Sequence, residues 1–119
     1  MIPQAMPNAT IPGIPASSQV KLANSFAAQP NLQLVWLFGS RAMGRHQSGS
    51  DIDLCLEGHQ LTHLDRLRLM AAIDDLLLPW KVDLVLRHEL PPELLAHLDR
   101  VGRCIWRQQG TAQVCSMSH

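Results

Sequence analysis

Two aspartates one residue apart, Asp51 and Asp53, follow shortly after a Gly39-Ser40 pair. On a β-strand, side chains two positions apart project to the same face, so these carboxylates stand several ångströms apart and repel unless a cation lies between them. Hard oxygen ligands suit Mg²⁺ or Mn²⁺, and Mg²⁺ usually takes one or two protein carboxylates and fills its octahedron with substrate phosphates and water. A phosphate-bearing substrate follows. Gly39, lacking a Cβ, lets the backbone approach a phosphate, while the next N–H groups and the Ser40 hydroxyl donate to it. Arg41, and less directly Arg45, offer guanidinium forks to the same phosphates. Asp83, on a later strand-like segment, is the candidate third acid, placed to hold a second metal or to take a proton from an attacking hydroxyl. Together these residues describe phosphoryl-type transfer.

Singly, a Gly-Ser turn, an Asp-x-Asp strand face and a surface acid are ordinary structural features. With Gly and Ser each at roughly 7% of residues and Asp at about 5%, the two motifs at one fixed spacing arise in about one random chain of this length per thousand. The combination therefore carries the functional reading.

The elements that position these residues follow from periodicity. Residues 33–38 are a nearly continuous apolar run closed by Gly39, as in a strand buried on both faces. Residues 51–56 alternate, with Ile52, Leu54 and Leu56 on one face and Asp51, Asp53 and Cys55 on the other. Residues 81–86 alternate likewise, with Asp83 and Val85 opposite Val82, Leu84 and Leu86. Ser17 or Ser18 offers an N-cap to a helix carrying Val20, Leu22, Ala23, Phe26 and Ala27 and ended by Pro30. Thr62-x-x-Asp65 resembles a capping box, opening a helix whose apolar positions are Leu64, Leu67, Met70, Ala71, Ile73, Leu76 and Leu77. Pro91 and Pro92 open a last helix closed by Gly102, before a short edge strand at 104–106. The fold class is α/β in the broad sense (α+β), a small mixed sheet flanked by helices. Pro3, Pro7, Pro12 and Pro15 mark residues 1–16 as an extended arm, 17–107 as the domain and 108–119 as a tail.

Composition narrows the function further. At 119 residues and 46% hydrophobic, the chain supports one domain and not two. Ten basic and ten acidic residues cancel, so no overall field draws it to nucleic acid or a membrane surface, and neither is expected as a direct partner. Eight of the ten cations are arginines, the residue suited to phosphate forks. Cys55, Cys104 and Cys115 are odd in number and lack C-x-x-C spacing, which reads as reduced thiols. With no apolar run near eighteen residues, the expected compartment is the cytoplasm. Cys55, His59 and His63 lack a nearby fourth ligand for zinc, and His46 reads as a solvated loop residue. The Gly-x-x-x-x-Gly-Lys of a P-loop is absent. Trp36, Trp80 and Trp106 read as core or sheet-edge residues, and Asp74-Asp75 as a solvated pair at a helix end.

Gly39-Ser40-Arg41-Ala42-x-Gly44, then Ser50-Asp51-Ile52-Asp53-Leu54, then Val82-Asp83-Leu84-Val85, resemble the polymerase-beta-type nucleotidyltransferase superfamily, and within it the minimal nucleotidyltransferase (MNT) branch. The similarity runs from about Val20 to Trp106. It implies that Gly39 and Ser40 grip a triphosphate and that Asp51, Asp53 and Asp83 hold two Mg²⁺ ions, with Mn²⁺ as an alternative and ATP as substrate. Members often carry a second arginine in the Gly-Ser loop where this chain has Met43, a departure that bears on phosphate grip or acceptor choice. Larger relatives add a domain that binds the acceptor, for which this chain has no room. Stand-alone MNT proteins resemble antitoxins paired with helical HEPN ribonuclease toxins, so the resemblance implies AMP transfer to such a partner, typically at a tyrosine. A noncatalytic antitoxin that acts by binding alone is the second reading. A small-molecule transferase of the aminoglycoside type is the third.

Overall fold

The apolar run before Gly39 forms strand β1 (Leu34–Phe38) at the centre of the computed structural model of this protein, which describes residues 10–108. β1 pairs antiparallel with β2 (Ile52–Glu57) on one side and with β4 (Arg103–Arg107) on the other, and β2 pairs in parallel with β3 (Val82–Leu86). The order β3-β2-β1-β4 makes a mixed four-stranded sheet, with β4 at an edge as its short apolar segment implied. The remaining elements are α1 (Ala16–Ala27), the one-turn α2 (Gly39–Ala42), α3 (His63–Asp74), a 3-10 turn at Arg87–Glu89 and α4 (Pro92–Val101).

Strand alternation divides the sheet into two faces. Val35, Leu37, Ile52, Leu54, Leu56, Leu84 and Leu86 join Leu22 and Phe26 of α1 and Leu69 and Ile73 of α3 in one buried cluster. On the other face Leu34, Cys55 and Cys104 are buried, and α4 packs on β1 with Leu98 buried. The tryptophans serve this scaffold. Trp106 lies 5.8 Å from Phe26 in a tilted ring pair, and Trp36 Nε1 donates to Glu57 Oε1 at 2.9 Å.

The structure departs from the sequence expectations in three places. Helix α1 starts at Ala16 behind Pro15, with no side-chain cap, so Ser17 and Ser18 lie inside its first turn. Helix α3 does begin with the expected Thr62–Asp65 capping box, but its inward face is Asp65, Leu69 and Ile73, while Leu64 and Leu67 are exposed. Asp65 is buried because it closes the box and accepts from Asn31 Nδ2, so a polar residue occupies the core stripe and displaces the apparent apolar periodicity. Leu77, with φ of 56° just past the helix, is 87% exposed rather than packed.

The third departure lies in the arm. Ile11 and Ile14 are buried in the core, and Gln19 holds them: Ile11 N–H donates to Gln19 Oε1 at 3.0 Å, and Gln19 Nε2 donates to the Ile14 carbonyl at 3.0 Å. Residues 11–14 thus pack with the domain instead of extending from it. Residues 1–9 of the expected arm, with Pro3 and Pro7, and 109–119 of the expected tail, with Cys115, lie outside the described residues.

Candidate active site

The site forms where β1 ends. Phe38 faces Asp53 across the antiparallel ladder, and Asp53 faces Asp83 across the parallel one. The two acids therefore sit on neighbouring strands at one register, about 5 Å apart along the sheet. Asp51 lies one residue before β2 and is exposed, at the mouth of the strand rather than inside it as the alternation had implied.

The chain turns sharply beside these acids. Gly39 has φ of +77°, and a Cβ there would collide with Asp53 Oδ2. Only glycine both adopts this backbone and leaves the carboxylate its place. Ser40 follows in the first turn of α2.

Electrostatics mark Asp53 as the centre of the site. Burial pushes its carboxyl pKa up, Asp83 and Asp51 add like-charge repulsion, and Lys81 partly offsets them. Lys81 Nζ stands 3.8 Å from Asp83 Oδ1, with both groups largely in solvent. The alternation of residues 81–86 marks Lys81 only as the start of a strand. Its position two residues before Asp83, hence on the same strand face, is the signal that identifies it.

Arg41 departs from its expected role as a nucleotide-binding residue. The side chain is 1% exposed, and its guanidinium donates to the carbonyls of Ser50 (3.2 and 2.8 Å), Pro12 (2.8 Å) and Ser48 (3.3 Å). These bonds occupy the fork that a phosphate would need. Arg41 instead ties residues 48–50, which lead into Asp51, to the N-terminal segment. Gly13, with φ of +81°, makes room for it, since a Cβ there would lie 2.9 Å from Arg41 Nη1 and 3.1 Å from His46 Nε2. Trp80 Nε1 donates to the Ser48 carbonyl at 3.0 Å and anchors the same loop.

Among the described residues, no three His, Cys, Asp or Glu side chains are grouped to hold one metal ion by themselves. The donor set nonetheless fits Mg²⁺: hard carboxylate oxygens, mutual repulsion that a cation would relieve, and a glycine cradle for a phosphate that completes the coordination. Cys55, by contrast, is a packing group, its thiol pushed up to about 12 chiefly by burial. Among the described residues no helix is long and apolar enough to cross a membrane.

Known proteins share these features. The sequence matches the family described as Polymerase beta, Nucleotidyltransferase over residues 20–111. A stretch of 52 residues is 44% identical to the probable protein adenylyltransferase MntA of Haemophilus influenzae. That stretch covers 43% of this chain and 46% of the relative, less than half the length of either. Among solved structures, a toxin–antitoxin complex with AMP-PNP superposes with a TM-score of 0.62 at 26% identity, over 85% of this chain and 80% of the other. A complex of tri-AMPylated Shewanella oneidensis HEPN toxin with MNT antitoxin superposes with a TM-score of 0.59 over 82% and 76% of the two chains; its 24% identity supports likeness of fold. The family match spans the Gly39 turn and all three acids, and this chain belongs to the polymerase beta nucleotidyltransferase family.

Proposed function

We propose that the protein transfers AMP from Mg-ATP to a hydroxyl of a partner protein, a tyrosine of a HEPN-type ribonuclease toxin, and thereby acts as an antitoxin in the cytoplasm. The observation that carries this reading is the Gly39 turn held against Asp53, with Asp83 in register on the next strand. The backbone at Gly39 and the Ser40 hydroxyl bind the triphosphate, while Asp51, Asp53 and Asp83 supply carboxylate oxygens to divalent ions. Such ions, when bound, neutralise phosphate charge and polarise the α-phosphorus.

The attacking hydroxyl oxygen forms a bond to the α-phosphorus, the bond from that phosphorus to the pyrophosphate oxygen breaks, and pyrophosphate leaves. Asp83 is placed to take the hydroxyl proton, since it is half exposed and stands at the register of Asp53. The partner proteins of the relatives support the choice of acceptor, because the Shewanella oneidensis complex contains a tri-AMPylated HEPN toxin. Parallel incubations of protein and partner with ATP labelled at the α- or at the γ-phosphate test the reaction. Label is expected on the partner from the α-position only; transfer from the γ-position, or from neither, contradicts it.

A further inference from the structure

The sheet has an open side next to its acids. In the order β3-β2-β1-β4, no strand among the described residues lies beyond β3. The parallel ladder with β2 uses the odd-numbered residues of this segment, since Ile52 N–H donates to the Lys81 carbonyl at 2.8 Å, so the N–H and C=O groups of Val82 and Leu84 point outwards. Arg66 Nη1 caps one of these, the Leu84 carbonyl, at 3.2 Å. Among the described residues no side chain caps Val82 in the same way. A bare strand edge is a template for an added strand, and the bare stretch here adjoins Asp83.

A groove of about 250 Å³ straddles that stretch. Met70, Leu78, Trp80 and Val82 line it from the core side, and Lys81 and Asp83 from the side of the acids. Trp80 is held as a fixed wall, because its Nε1 donates to the Ser48 carbonyl at 3.0 Å. Across this end of the sheet the order is the Gly39 turn, Asp53, Asp83, then the groove. The triphosphate is gripped at the first of these and the attacking hydroxyl loses its proton at Asp83, so the groove lies on the acceptor's side of the reaction.

We propose that the groove and the bare edge of β3 dock the partner's acceptor segment as a short added strand, in which a large apolar residue stands next to the acceptor residue. The proposal rests on the nucleotidyltransferase reading above and names the local sequence that the acceptor must carry. Adjacent residues of a strand point to opposite faces. The residue opposite Asp83 therefore presents its hydroxyl to the acids, while its neighbour turns the other way and fills the groove against Met70, Leu78 and Val82. Main-chain bonds to Val82 hold the segment, and the groove selects the side chain. With Lys81 drawn to Asp83 at 3.8 Å, Asp74 leaves the rim of the groove negative, which suits a basic residue further along the segment.

The test follows transfer from ATP labelled at the α-phosphate to the proposed HEPN-type partner by the full-length protein, with KM for the partner and KM for ATP read separately. A Met70→Ala, Leu78→Ala form empties the groove. Val82→Pro removes the outward N–H without breaking a bond to β2, and Val82→Ala keeps that N–H. Partner KM is expected to rise roughly tenfold in the double variant and in Val82→Pro, equivalent to partial loss of one buried apolar side chain, with ATP KM unchanged and a smaller rise in Val82→Ala. Glycine in place of the apolar residue beside the labelled one should raise partner KM alike, and add little in the double variant. The groove and edge variants are independent, so one that fails to fold leaves the other to decide. Unchanged partner KM, a labelled residue with no large apolar neighbour, or a rise in ATP KM alone, which would put the nucleotide in the groove, overturns the docking site. A native protein that transfers nothing to the partner refutes the nucleotidyltransferase reading and the docking site with it, and is told apart because every variant is scored against the native protein.

Discussion

Asp53 is the residue on which the account turns, and its ionisation has a sign that can be checked. Its folded pKa lies above the unfolded value, so its contribution to stability is full below the ordinary 3.8 and is lost as pH rises through the raised value. At neutral pH the carboxylate therefore destabilises the fold. Asp53→Asn is expected to abolish transfer while melting no lower than the native protein at pH 7 without metal; a clear drop in its melting temperature would contradict the electrostatic reading. Gly39→Ala acts on the same contact from the other side. A left-handed alanine costs about 1–2 kcal/mol, and its methyl would displace Asp53, so urea unfolding should show a loss of this order together with loss of activity. These residues were legible because glycine and paired aspartates in this order have few other uses at a strand end. Arg41 was not, because a guanidinium fork fits backbone carbonyls as well as phosphates. Burial by a segment 29 residues away decides between them.

The elements were largely readable from periodicity, and their failures share a cause. The three strands carrying the site appear where alternation placed them, to within a residue, and α4 opens at its proline pair. In α3 a buried Asp65 hid the inward stripe, and in α1 Pro15 displaced the serines from the cap. In both, a local hydrogen bond or ring geometry overrode the pattern of apolar residues. The loop from α2 to β2 depends on Arg41, whose removal strands several carbonyls at about 1–3 kcal/mol each. Arg41→Lys keeps the charge but not the fork, so it is expected to lower unfolding free energy by about 2 kcal/mol or more. Unchanged stability with weakened ATP binding would return Arg41 to the phosphates.

At the scale of the whole molecule, strand order decides what the sequence could not show. Periodicity placed three acids on two strands, but nothing in it made those strands neighbours, in parallel and in register. The packed Ile11 and Ile14 extend the domain towards the N-terminus for the same reason: the contact that buries them is made by the assembled fold. As proposed, this arrangement transfers nucleotide to a protein rather than merely binding one. The most direct measurement is the intact mass of the proposed HEPN partner after incubation with Mg-ATP and either the native protein or its Asp53→Asn form. The partner is expected to gain one or more AMP units with the native protein and none with the variant. A partner that gains no mass while its ribonuclease is still silenced by both forms would contradict it and leave an antitoxin that works by binding alone.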